Sequence, residues 1–96
     1  MAKPIHVLQT PTFKKAVKKL KPRQKTDLDS AVRALMGDPI MGEQKKGDLA
    51  FLRVYKFKMS NQVTLLGYSF NEGKLVLELL ALGSRENFYR DIKRTR

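Results

Sequence analysis

The stretch "RVYKFKMSNQVTLLGYSFNEGKLVLELLALGS", Arg53 to Ser84, decides the fold. Its period is two, and β-branched, aromatic and leucine side chains dominate it. Phe51 to Met59, Val63 to Phe70 and Lys74 to Leu82 read as three strands. "SNQ" and "NEG" between them are turn chemistry, so the strands form an antiparallel meander. Within the first strand, alternation puts Arg53, Tyr55 and Phe57 on one side and Lys56 and Lys58 on the other. Two ammonium groups side by side on a sheet repel each other and invite a partner that uses both.

Upstream the period changes. "IHVLQ", Ile5 to Gln9, is a short strand. Thr10 offers an N-cap hydroxyl and Pro11 suits a first helical turn. In "TPTFKKAVKKLK", Phe13, Ala16, Val17 and Leu20 fall at i, i+3, i+4 and i+7, which is one helix face. Leu28, Ala31, Val32 and Leu35 repeat that spacing in "RQKTDLDSAVRALMGDP", and Gly37 and Pro39 stop it. Pro22 closes the first helix or opens the second, giving an αα-hairpin. "GDPIMGEQKKGDLA" reads as a loop. Downstream, Gly83 and Ser84 end the last strand, and Ser84 can cap a short final helix in "RENFYRDIKRTR". Residues 1–96 therefore form one α+β domain. Two N-terminal helices pack on an antiparallel sheet in the order β-α-α-β-β-β, with a short C-terminal helix.

Composition narrows the function. Twenty Lys and Arg stand against nine Asp and Glu, a net charge of +11, and no acid precedes Asp27. Such a field attracts polyanions and makes their binding salt-dependent. Nucleic acid or a ribonucleoprotein is the first partner this implies, and an acidic protein is the second. There is no cysteine and only one histidine, His6, so neither a disulfide framework nor a metal-ligand spacing is present. No cofactor is implied. No apolar run reaches the roughly 20 residues of a membrane span, and the N-terminus lacks a secretory signal. A soluble cytoplasmic protein is expected, with no membrane partner.

The lysines of the first helix suit two roles. Lys14 and Lys18 can grip phosphate, or they can be solvated charges whose stems shield the core. The strand site is more specific. The face holding Phe51, Tyr55 and Phe57 packs on the helices, which Arg53 fits only near the sheet edge. Lys56 and Lys58 then point out from the open face. "GSRENFYRD" delivers Arg85 and Tyr89 to one end of the sheet. A final helix crossing that face would gather Lys56, Lys58, Arg85 and Tyr89 in one groove. This set contains no paired carboxylates and no Ser-His-Asp arrangement. It does suit a phosphodiester of RNA. Repulsion between neighbouring ammonium groups favours release of a proton from one, which can then act as a base. A guanidinium grips phosphate oxygens bidentately. A tyrosine can stack on a base or donate a proton. The same four residues also fit a plain surface with a core tyrosine.

With the helical pair, "GDLAFLRVYKFKM" and "LALGSRENFYRDIKR" in view, the chain resembles the RelE/ParE superfamily of toxins from bacterial type II toxin–antitoxin modules. The resemblance runs from "TPTFKKAVKKL" to the end of the chain. It implies a RelE-like fold, two helices on a twisted antiparallel sheet. On the RelE branch it implies an endoribonuclease, an mRNA interferase that enters the ribosomal A site, cuts the mRNA there and so inhibits translation. That branch uses a Lys-x-Lys pair on a central strand, matched by Lys56 and Lys58. It also uses an Arg just after the Gly ending the last strand, matched by Arg85, and a Tyr a little further on, matched by Tyr89 at a shorter spacing. A further Arg expected on the middle strand is Leu65 here. Arg53 or Arg90 could stand in for that missing cation as a phosphate contact. The ParE branch shares the fold and poisons DNA gyrase by binding. A decayed, non-toxic basic binding protein is the remaining alternative. Implied partners are a cognate antitoxin, the ribosome and its mRNA or else gyrase, and operator DNA reached through the antitoxin.

Overall fold

The computed structural model describes residues 5–84 together with Phe88 and Tyr89. The elements are β1 (His6–Gln9), α1 (Pro11–Lys18), α2 (Pro22–Gly37), β2 (Glu43–Gln44), a 3₁₀ turn at Gly47–Leu49, β3 (Arg53–Met59), β4 (Gln62–Asn71) and β5 (Val76–Gly83). They build a five-stranded sheet in the order β1-β5-β4-β3-β2. The expected meander β3-β4-β5 is its centre, and it gains a strand on each side. β1 pairs with β5 in parallel, with His6 opposite Val76 and Gln9 opposite Leu79, so the sheet is mixed rather than wholly antiparallel. A parallel pair needs a long crossover, and everything between the two strands supplies it. β2 comes from the segment expected to be loop, where Glu43 and Gln44 pair with Val54 and Arg53.

Local chemistry starts the helices as the sequence suggests. Thr10 Oγ1 accepts the Phe13 N–H at 3.1 Å and donates to the Leu80 carbonyl at 3.0 Å. One hydroxyl thus caps α1 and ties it to β5. Pro22 opens α2 rather than closing α1, and Gln24 Oε1 accepts the Lys21 N–H at 2.8 Å just ahead of it. Both helices lie on one face of the sheet. Phe13, Leu28, Ala31 and Leu35 pack there against Leu66, Tyr68, Leu77, Leu79 and Leu82. Tyr55 and Phe57 pack on the same cluster, as alternation along β3 requires.

The other face carries a second, smaller core of Leu52, Val54, Leu65, Leu80, Ala81 and Phe88. An irregularity makes it possible. Gly67 pairs with Ala81 but Tyr68 pairs with Leu79, so Leu80 is an extra residue in β5. The bulge shifts the alternation, and Leu80 and Ala81 both join the second face. It also explains why "LVLELLAL" does not alternate cleanly in sequence. Gly67 leaves the space that Phe88 fills. A Cβ at Gly67 would stand 2.5 Å from Phe88 Cζ and 3.1 Å from a Leu52 methyl.

Two clamps fix the loop after α2. The buried Tyr68 hydroxyl donates to the Pro39 carbonyl at 2.8 Å and accepts the Gly42 N–H at 2.9 Å. Arg53 Nη1 donates to the carbonyls of Ile40 and Gly42, at 3.1 and 3.0 Å. The β3–β4 hairpin turns through Ser60 and Asn61, both at positive φ, as a two-residue turn of the favoured twist requires. Asp27 Oδ2 reaches across from α2 to accept the Ser60 N–H at 2.8 Å.

Candidate functional site

β3 supplies both faces at once. Its odd residues enter the helix-packed core, while Val54, Lys56 and Lys58 face the other way. Val54 is buried, but Lys56 and Lys58 are exposed, because the second core ends near Leu65. Neither lysine ammonium has an ion-pair or hydrogen-bond partner among the described residues. Cross-strand neighbours set their surroundings: Lys56 stands opposite Leu65 and Lys58 opposite Val63. Leu65 is 3% exposed and packs in the second core. The position where a further cation was expected is therefore an apolar wall beside Lys56.

β2 covers β3 only at Arg53 and Val54. From Tyr55 to Met59, β3 is the sheet's edge on that side, since the strand order ends with β2. Lys56 and Lys58 therefore sit where surface and edge meet.

Tyr89 lies on the same face as the two lysines. It packs on the second core beside Leu49, with its ring perpendicular to that of Phe88 at 5.1 Å. Lys45 Nζ stands 5.8 Å from the Tyr89 ring centroid and also approaches the Glu43 carboxylate at 3.8 Å. A cation this close to an aromatic face is attracted by the ring quadrupole. Lys45 is thus a fourth group on this face that sequence reasoning did not single out. Its only signal was the basic "QKK" before Gly47. The Phe88 N–H donates to the Ser84 carbonyl at 2.8 Å, the helical bond expected from a cap at Ser84.

Other expected site residues part from this group. Arg53 lies on the helix-packed face, and its guanidinium is held by the Ile40 and Gly42 carbonyls. It is a structural clamp and does not stand beside Lys56 and Lys58. The reason is the register of β3, whose odd residues all face α2. Lys14 and Lys18 are exposed on α1, whose Phe13 packs into the helix-side core, so the sheet separates them from Lys56 and Lys58. Arg85 and Arg90 lie outside the described residues. Among the described residues, Lys56, Lys58 and Tyr89 share the face of the second core, and Lys45 approaches the Tyr89 ring there.

Among the described residues, the Tyr68 phenol departs from its ordinary behaviour. Burial pushes the Tyr68 phenol above its usual value near 10, and Asp38 adds to this. The Gly42 N–H and the Arg53 cation oppose it. Tyr68 is on the helix side and acts through structure.

The model of the ParE-like toxin family of type II bacterial toxin–antitoxin systems matches residues 7–93. The chain belongs to that family. No curated protein matches it. Among solved structures it is similar to a doubly substituted E. coli toxin RelE in the free state, with a TM-score of 0.73, 17% identity and coverage of 97% of this chain and 98% of that one. It is also similar to a chain of the RelBE2 toxin–antitoxin complex from Mycobacterium tuberculosis, with a TM-score of 0.72, 21% identity and coverage of 86% and 100%. A chain of the archaeal RelE–RelB complex from Pyrococcus horikoshii matches with a TM-score of 0.62, 19% identity and coverage of 86% and 97%. At these identities the likeness is one of fold. The chain is a type II toxin with a RelE-type fold, two helices on a five-stranded mixed sheet. None of its described helices is long and apolar enough to cross a membrane.

Proposed function

We propose that this toxin inhibits translation by cleaving mRNA in the ribosomal A site, and that Lys56 and Lys58 are the centre of its chemistry. What supports this is one observation: two exposed ammonium groups, unpaired among the described residues, stand two residues apart on the face that also holds Tyr89. In the reaction, one of the two lysines serves as the base that takes the proton of a 2′-hydroxyl, and that oxygen bonds to the adjacent phosphorus. The bond from phosphorus to the 5′-oxygen breaks, and that oxygen gains a proton from an acid such as the Tyr89 phenol or the other ammonium. A 2′,3′-cyclic phosphate and a 5′-hydroxyl remain. The second lysine and Arg85 neutralise the charge that builds on the phosphorane. The ribosome aligns the message, which a site this open does not do alone.

The antitoxins in the similar complexes suggest a cognate antitoxin for this chain, bound over its basic surface. A second reading, binding to DNA gyrase without catalysis, is favoured by Leu65 filling the place of a cation and by the engagement of Arg53. Translating ribosomes with a defined message separate the two. The first reading expects 5′-hydroxyl ends within the A-site codon and naked RNA cut poorly. Intact message together with gyrase-linked DNA breaks in expressing cells would replace it with the second.

A further inference from the structure

Between α2 and β3, on the helix side of the sheet edge, lies an open cleft of about 220 Å³ lined by Asp27, Ser30, Ala31, Tyr55, Phe57 and Lys58. We propose that this cleft binds a guanine base of the RNA whose phosphate lies on Lys58, a proposal that rests on the RNA reading above.

The floor is aromatic. The rings of Tyr55 and Phe57 stack within 9° of parallel with centroids 6.0 Å apart, and a single-stranded base can extend such an aromatic stack. The wall is a fixed acceptor. Asp27 is held by the Ser60 N–H on Oδ2 at 2.8 Å, and a carboxylate has about four lone-pair sites, so most remain free. An ionised carboxylate only accepts. Guanine offers two adjacent donors, N1–H and the N2 amino group, which one carboxylate can take together. Adenine and cytosine put an acceptor nitrogen next to their amino group, and uracil flanks its one N–H with carbonyls. Each of those would face the carboxylate with repulsion. The Ser30 hydroxyl can both donate and accept, so it can serve a further base atom.

Access follows from the topology. Among the described residues no strand covers β3 past Val54, so a nucleotide can pass round the edge from the open face to the cleft. Lys58 alternates onto the open face yet lines the cleft, and its ammonium has no partner among the described residues. It is the group that would hold the phosphate joining the two sites. Asp27 and Lys58 share the cleft without forming an ion pair, which leaves each for the ligand.

The test is titration of the isotope-labelled full chain with guanosine, adenosine, cytidine and uridine 5′-monophosphates, followed by amide NMR. The expected result is saturable shifts at Asp27, Ser30, Tyr55, Phe57 and Lys58 with guanosine monophosphate. Binding should be about tenfold or more tighter than for the other three, the scale of one bidentate base contact. Asp27→Asn keeps an acceptor for Ser60 and should remove that preference while leaving the spectrum otherwise native. Equal binding of all four nucleotides, or no shift in the cleft, overturns the proposal. The readout needs no ribosome. Guanosine monophosphate in the cleft without any mRNA cleavage would refute the ribonuclease reading alone. Cleavage with the cleft silent would refute this proposal alone.

Discussion

The two faces of the sheet share strands β3, β4 and β5, yet they are finished differently. On one, α1 and α2 bury a continuous core, and among the described residues no buried side-chain polar atom there lacks a hydrogen-bond partner. Tyr68 and Arg53 both end on loop carbonyls, and Asp27 ends on the hairpin N–H. On the other, one aromatic residue, Phe88, covers the small core, and Lys56 and Lys58 on the same face of β3 stay exposed. The first face shows what stability needs, and the second leaves exposed side chains free to meet a partner. A strand with period two serves both tasks because adjacent residues answer to different surroundings.

The comparison can be broken most forcefully at Phe88, the fully buried cover of the second face. Phe88→Ala should cost about 3–5 kcal/mol in denaturant-induced unfolding, because the Gly67 slot cannot close behind it. A loss under about 1 kcal/mol would mean that the second face is not a core. On the helix face, Tyr68→Phe leaves the Gly42 N–H and the Pro39 carbonyl without their partner. It should cost about 1–3 kcal/mol near neutral pH. The pH dependence gives a sharper check. The Tyr68 phenol is raised in the folded state, so its contribution is complete below pH 10. It declines above that as the unfolded chain ionises first. The alkaline fall of wild-type stability should flatten in Tyr68→Phe, and an unchanged fall would assign it to other groups. The smallest expected effect on stability is at the open site. Lys56→Ala with Lys58→Ala should move the unfolding midpoint by less than about 0.5 kcal/mol, as exposed unpaired side chains do. A larger loss would make the lysines part of the scaffold.

Much of this arrangement was legible in the sequence. The spacing of Phe13, Ala16, Val17 and Leu20, and of Leu28, Ala31, Val32 and Leu35, is local and gave the helices. The alternation of Tyr55 and Phe57 against Lys56 and Lys58 gave the two sides of β3. What escaped reading was non-local. The parallel seat of β1 on β5 joins residues 70 positions apart, and nothing in "HVLQ" names its partner. β2 is two polar residues long, too short for any period. The engagement of Arg53 with two loop carbonyls also escaped reading, because such partners carry no sequence signature. Asp27 and Lys45 were overlooked for the same reason, since their partners lie on other elements. Lysines on an exposed edge also discourage strand pairing between molecules, and Lys56 and Lys58 would serve that end without any chemistry.

The rate of mRNA cleavage on translating ribosomes decides between those uses. It would be compared for the wild-type chain and the Lys56→Ala/Lys58→Ala variant at equal concentration, with both shown to be folded. Loss of the base and of phosphorane stabilisation together predicts a fall of about 100-fold or more. Cleavage by the variant at the wild-type rate would contradict the account, because the reacting groups would then have to lie elsewhere.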